Sequence, residues 1–115
     1  MQFLLLTYFE EAEMKRASEA EFEAQVAAYR TYSKMLVEAG VFQSGNALMA
    51  TERARSIRVR DGAVMATDGP FAETKEQLGG YYLIDCPTLA DAERWAAQVP
   101  AAFFGTVEVR PIWDY

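Results

Sequence analysis

The segment from Ser18 to Gly40 writes both ends of a helix in its own residues. Ser18 and Glu21 have the spacing of a capping box, in which each side chain satisfies the other's backbone N–H. Glu19, Glu21 and Glu23 crowd the positive end of the helix dipole. Phe22, Val26, Tyr29 and Leu36 recur at helical spacing and are expected to form the buried face. Gly40 readily takes the left-handed conformation that ends helices. So long a helix in a chain of 115 residues must lay that face on a sheet or on other helices.

The flanking segments supply strands. Gln2–Phe9 is short and nearly continuously apolar, the pattern of a central strand covered on both faces. Val41–Met49 reads as a weaker strand, broken by Gly45-Asn46. Ser56–Arg60 and Ala63–Thr67 flank Asp61-Gly62, a strong short hairpin signal. A two-residue turn there pairs Val59 with Val64 and Ile57 with Ala66, leaving Ser56, Arg58, Arg60 and Met65 on the opposite face. Gly80–Cys86 is a further strand. Thr88 caps a second helix, with Leu89, Ala92, Trp95, Ala96 and Val99 as its buried stripe and Pro100 at its end. Thr106–Trp113 alternates Val107 and Val109 against Glu108 and Arg110, as a half-buried strand does. Two helices and an antiparallel sheet in the order β-α-β-β-β-α-β predict an α+β ferredoxin-like plait, in one domain over residues 1–115. Two helices cover one sheet face, so a second copy of the sheet is expected on the other, giving a homodimer.

Charge and composition narrow the function. The net charge of −6 disfavours phosphate backbones and anionic membranes, so neither nucleic acid nor membrane is expected as a partner. Cys86 is the only cysteine and there is no histidine. Together these exclude an internal disulfide and imidazole-dependent nucleophilic catalysis, and they argue against transition-metal binding. Cys86, at the end of an apolar strand, reads as a buried, inert thiol. MQFLLLTYFEEAE lacks the basic start of a signal peptide, and a cytoplasmic protein without metal or cofactor is expected.

The chemistry concentrates in TDGPFAETKEQLGGYYLI, residues 67–84. Asp68-Gly69-Pro70 is a stiff turn that either presents a carboxylate as a base or satisfies its own backbone. Glu73 and Lys75 are candidates to receive a polar substrate, and Gly79-Gly80 is either a hinge or a close-packing site. Tyr8 and Tyr29 border the same core, as weak acids, hydrogen-bond donors or apolar plugs. Only one of Tyr81 and Tyr82 can face a given cleft, because adjacent strand residues alternate. Arg58 and Arg110 are candidates to hold a carboxylate, against the alternative of pairing with neighbours such as Glu108.

RVRDGAVMATDGPFAETKEQLGGYYLI, followed by VEVRPIW and preceded by FLLLTY and a helix ending EAGV, resembles the DGPF-type branch of the YCII-related proteins. The resemblance covers essentially the whole chain. It implies a dimeric α/β-barrel fold, a bacterial cytoplasmic setting and an association with extracytoplasmic-function sigma-factor systems. Some members of the broader group carry a His–Asp pair proposed to be catalytic. Counting back from Gly40 puts Tyr29 at the histidine's position, so that pair cannot form here.

Two functions stay open. One is a small-molecule-binding homodimer, extending to cofactor-free proton-transfer or lyase/isomerase chemistry on a small organic acid. Its expected pocket comprises Tyr8, Tyr29, Arg58, Asp68, Glu73, Lys75 and Arg110, with Asp68 and Tyr29 as catalytic candidates. The other is a non-enzymatic dimer that contacts a protein partner in sigma-factor regulation.

Overall fold

A computed structural model describes residues 1–115. The elements are β1 (Gln2–Phe9), α1 (Glu11–Lys15), α2 (Glu19–Glu38), β2 (Phe42–Ala47), β3 (Arg55–Arg60), β4 (Ala63–Asp68), β5 (Gln77–Asp85), α3 (Leu89–Ala96) and β6 (Thr106–Pro111), with short 3-10 turns at Thr51–Arg53 and Pro100–Phe103. β1 is central, antiparallel to β5 on one side and β6 on the other. β2 pairs antiparallel with β5, giving the order β2-β5-β1-β6. This is an α+β fold with the strand order of a ferredoxin-like plait, with the β3–β4 hairpin as a separate two-stranded unit. No helix is long and apolar enough to cross a membrane.

The local signals of the sequence are realised. Glu21 N–H donates to Ser18 Oγ at 3.1 Å and Ser18 N–H to Glu21 Oε1 at 3.4 Å, completing the capping box of α2. Gly40 ends the helix at φ +73°. Asp61 and Gly62 both have positive φ, as a tight hairpin turn demands, and Val59 opposes Val64 while Ile57 opposes Ala66. Thr88 Oγ1 accepts from Asp91 N–H at 3.1 Å and caps α3.

Four expectations need correction. There are three α-helices rather than two, because Glu11–Lys15 adds a short turn that long-range contacts hold in place: the Glu11 carboxylate accepts from Thr51 N–H at 2.8 Å and from its hydroxyl at 2.7 Å. Gln2–Phe9 is central but covered on one face only: Phe3, Leu5 and Thr7 are buried, while Leu4, Leu6 and Tyr8 are half-buried. The strand after Gly40 is shorter than Val41–Met49, and its register shifts between Phe42 and Ser44. The stripe of α2 is not buried along its length. Tyr32 and Leu36 are enclosed, but Val26 and Tyr29 are half-buried and Phe22 is 57% exposed. The N-terminal half of α2 therefore stands off the sheet, whereas its C-terminal half packs on Tyr82 and Ile84 in the core.

The hairpin projects from the body as an arm. Every residue of β4 is exposed, as is every residue of β3 but Ser56. The radius of gyration is 16.0 Å, and a compact chain of this length would have about 13 Å.

Candidate functional site

Where α2 leaves the sheet, a cleft of about 670 Å³ opens between them. Phe22, Val26, Tyr29 and Ser33 form its helical wall and Phe9, Phe42 and Tyr82 its sheet wall, with Gly45, Gly79 and Gly80 in the floor. The glycines let chains approach closely there. A Cβ on Gly45 would lie 2.8 Å from the Tyr82 ring, and one on Gly80 would lie 2.9 Å from the Asn46 carbonyl oxygen. Gly79-Gly80 thus has a close-packing role inside β5, and a bulge at Thr7/Tyr8 of β1 adjoins it.

The polar groups of the cleft fall into two sets. Thr7 Oγ1 donates to the Gly80 carbonyl at 3.1 Å, and the Ser33 and Tyr82 hydroxyls share a hydrogen bond of 3.0 Å. These are satisfied. Gln25 Oε1 is buried with no protein partner, and Arg30 forms no ion pair with any carboxylate of the chain. Burial, with a smaller contribution from nearby Tyr82, pushes the Tyr29 hydroxyl up to about 12. Tyr29 therefore keeps its proton at neutral pH and serves as a donor rather than a base. The same causes raise Tyr32, and burial raises Tyr82 against the opposing hydrogen bond from Ser33. Another hollow, of about 370 Å³, lies beside Cys86, but its charged groups Asp91 and Arg94 pair with each other.

The YCII-related domain family matches residues 1–115. The chain belongs to this family. An uncharacterized protein of Rhizobium meliloti is 37% identical over 117 residues, an alignment that spans 100% of this chain and 94% of that one. On a YCII-related chain without histidine, the cleft wall carries Tyr29 at the helical position discussed above.

Of the seven residues expected to form the pocket, the cleft of this YCII-related protein brings in Tyr29 and leaves the other six elsewhere, while Gly79, Gly80, Tyr81 and Tyr82 from the same sequence stretch do line it. Tyr8 lies on the outer sheet face, opposite Thr106. Asp68 sits at the root of the arm, where Arg55 Nη1 donates to its carboxylate at 2.5 Å. The turn behind it is held by Gly69 N–H on the Ala54 carbonyl at 2.8 Å and by Ser56 Oγ on the Gly69 carbonyl at 2.8 Å. Arg58 is on the exposed arm, Glu73 is in the exposed loop after Phe71, and Lys75 lies 3.8 Å from Glu10. Arg110 Nε donates to Glu108 on the same strand at 2.7 Å. Tyr82 faces α2 and Tyr81 the opposite side, where Asn46 Nδ2 donates to its hydroxyl at 2.9 Å.

Sequence reasoning did not single out Gln25, Arg30 or Ser33. The signal was present: all three lie within the turns that carry Phe22, Val26 and Tyr29.

Proposed function

We propose that this YCII-related protein is a homodimer that binds a small molecule in the cleft between α2 and the sheet. The observation that carries the reading is the cleft: an aromatic-walled space of about 670 Å³ with few polar groups, within the size range of small-molecule sites. The dimer is supported by the outer sheet face, where Leu4 opposes Leu83 and Leu6 opposes Tyr81, four large side chains that the single chain leaves only half-buried. Packing two such faces together yields the dimeric barrel that the family resemblance implies.

Binding is the activity the geometry supports best. Proton transfer or lyase/isomerase chemistry on an organic acid would use Tyr29 as the acid. Its base would be Asp68, which lies outside the cleft and would have to leave Arg55 to reach it. An Asp68→Asn protein that binds its ligand normally but has lost turnover would assign that role. A second reading, contact with a protein partner such as a sigma-factor system, draws support from the arm, whose Ile57, Val59 and Val64 share one solvent-exposed face.

A thermal-shift screen of small organic acids tests the primary reading. A binding acid should raise the melting temperature of the wild-type protein, and Val26→Trp, which fills the cleft, should remove that shift while unfolding stays cooperative. An undiminished shift in Val26→Trp would place the ligand elsewhere. A screen without a binder would favour the protein-contact reading.

A further inference from the structure

Resting on that reading of the cleft, we infer that its ligand is a flat aromatic acid with a hydrogen-bond donor at the end opposite the carboxylate. The first observation is charge. The chain has 17 Asp and Glu side chains, yet none of the residues lining the cleft is Asp or Glu, and Arg30 is the one charged residue among them. That local charge favours an anion over a cation, against the acidic field of the whole chain. Arg30 makes no ion pair within the protein, so its guanidinium keeps its donors for a carboxylate.

The second observation is the unpaired acceptor. Gln25 Oε1 is buried and receives no hydrogen bond, while the Thr7, Ser33 and Tyr82 hydroxyls all have partners. A buried acceptor without a donor is costly, and because protein atoms cover this one, a ligand hydroxyl or N–H gains it only when the Gln25 side chain turns its amide into the cleft. The third observation is spacing. Gln25 and Arg30 are five residues apart on α2. That separates them by about 7.5 Å along the helix axis and about 140° around it. Phe22, Val26 and Tyr29 lie between the two margins and offer an apolar surface. A ligand that serves both groups is polar at both ends, and the rings of Phe9, Tyr29, Phe42 and Tyr82 in the walls suit a flat ring between them, as a hydroxycinnamate has.

Calorimetric titration with para-coumarate tests the assignment, with cinnamate lacking the hydroxyl, para-coumaryl alcohol lacking the charge, and succinate lacking the ring. Para-coumarate should bind tightest, with the alcohol weaker by about tenfold. Arg30→Gln should cost para-coumarate that same factor and leave the alcohol unchanged. Gln25→Leu should erase the difference between para-coumarate and cinnamate.

Succinate binding as tightly as para-coumarate would overturn the aromatic class. Equal losses for acid and alcohol in Arg30→Gln would show a merely structural arginine and overturn the carboxylate assignment. If the aromatic compounds all bind alike and Val26→Trp blocks them, the cleft stands and the ligand class falls. If none binds the wild-type protein, or Val26→Trp leaves their binding intact, the reading of the cleft falls as well.

Discussion

The Tyr82 hydroxyl lies 3.0 Å from Ser33 Oγ and ties β5 to α2 at the point where the helix begins to leave the sheet. The Tyr82 ring also meets Tyr32 edge-on, with centroids 5.2 Å apart at 72°. Tyr82→Phe keeps the ring contact and loses the bond, so it should cost about 1 kcal/mol in urea unfolding. Ser33→Ala should cost a similar amount. The double variant should cost clearly less than the sum, because both remove the same bond. Additive losses would mean that the two hydroxyls do not interact.

Stability should fall on the alkaline side. Tyr29 is raised to about 12, and Tyr32 and Tyr82 are raised as well. Tyrosine in an unfolded chain ionises near pH ~10. A folded pKa above the unfolded value gives stability that is fully present below about pH 10 and is lost as pH rises toward about 12. The urea midpoint should hold steady to about pH 9.5 and then drop, with phenolate absorbance from these rings appearing at the unfolding transition. A midpoint unchanged to about pH 11.5 would contradict the burial assigned to these hydroxyls.

Two glycines should differ in their tolerance of alanine. A Cβ on Gly105 would stand 2.0 Å from the Tyr8 carbonyl oxygen, a backbone atom that β1–β6 pairing holds still. A Cβ on Gly79 would stand 2.1 Å from Phe9 Cε1, the outer end of a side chain that can pivot. Gly105→Ala should therefore cost about 3 kcal/mol and Gly79→Ala about 1 kcal/mol, by chemical denaturation. The reverse order would show that Phe9 is the more rigid neighbour.

Leu6→Glu should convert the proposed dimer to monomer. Leu6 opposes Tyr81 and Glu108 on the outer sheet face, so a new carboxylate there would meet both an apolar partner surface and a like charge. The single chain should stay folded, because Leu6 is only half-buried within it. Sedimentation equilibrium reads the result, and a persistent dimer would rule out pairing through this face.

Val64→Asp probes the arm. Val64 is 72% exposed, and in an isolated chain the change should alter stability by less than about 0.5 kcal/mol. An isolated two-stranded hairpin is marginal in water, so a second copy that buries the Ile57, Val59 and Val64 face would account for the arm's persistence. The dimer dissociation constant should then rise by at least tenfold, or roughly 1.4 kcal/mol. An unchanged constant would leave the arm free to meet another protein.

The helix caps, the Gly40 stop and the hairpin register are legible in the sequence because each depends on residues a few positions apart. Asp68 shows how far such rules reach. Extending the hairpin register one pair beyond Ser56 and Thr67 sets Arg55 opposite Asp68, where the structure has an ion pair at 2.5 Å that the reading of Asp68 as base or turn residue does not include. The turn Asp68-Gly69-Pro70 draws attention as a place for chemistry, yet its carboxylate is committed to the neighbouring strand. The short helix Glu11–Lys15 is not legible in this way: its N-cap makes no side-chain bond, and Thr51, far along the chain, holds it.

The continuous apolar run of Gln2–Phe9 does not tell which of its faces is covered. Periodicity and capping do dictate which segments are helix or strand, and the two-residue period of a strand dictates which side chains of Thr106–Pro111 share a face. These are short-range matters of backbone geometry and side-chain period. The angle at which α2 crosses the sheet is not. Phe22 and Leu36 lie on the same stripe, yet one faces solvent and the other is fully buried. The difference arises because Tyr32, Leu36 and Tyr82 pack at one end of the helix while glycines line the strands at the other. The cleft, its unpaired Gln25 and its free Arg30 exist only once those elements have met.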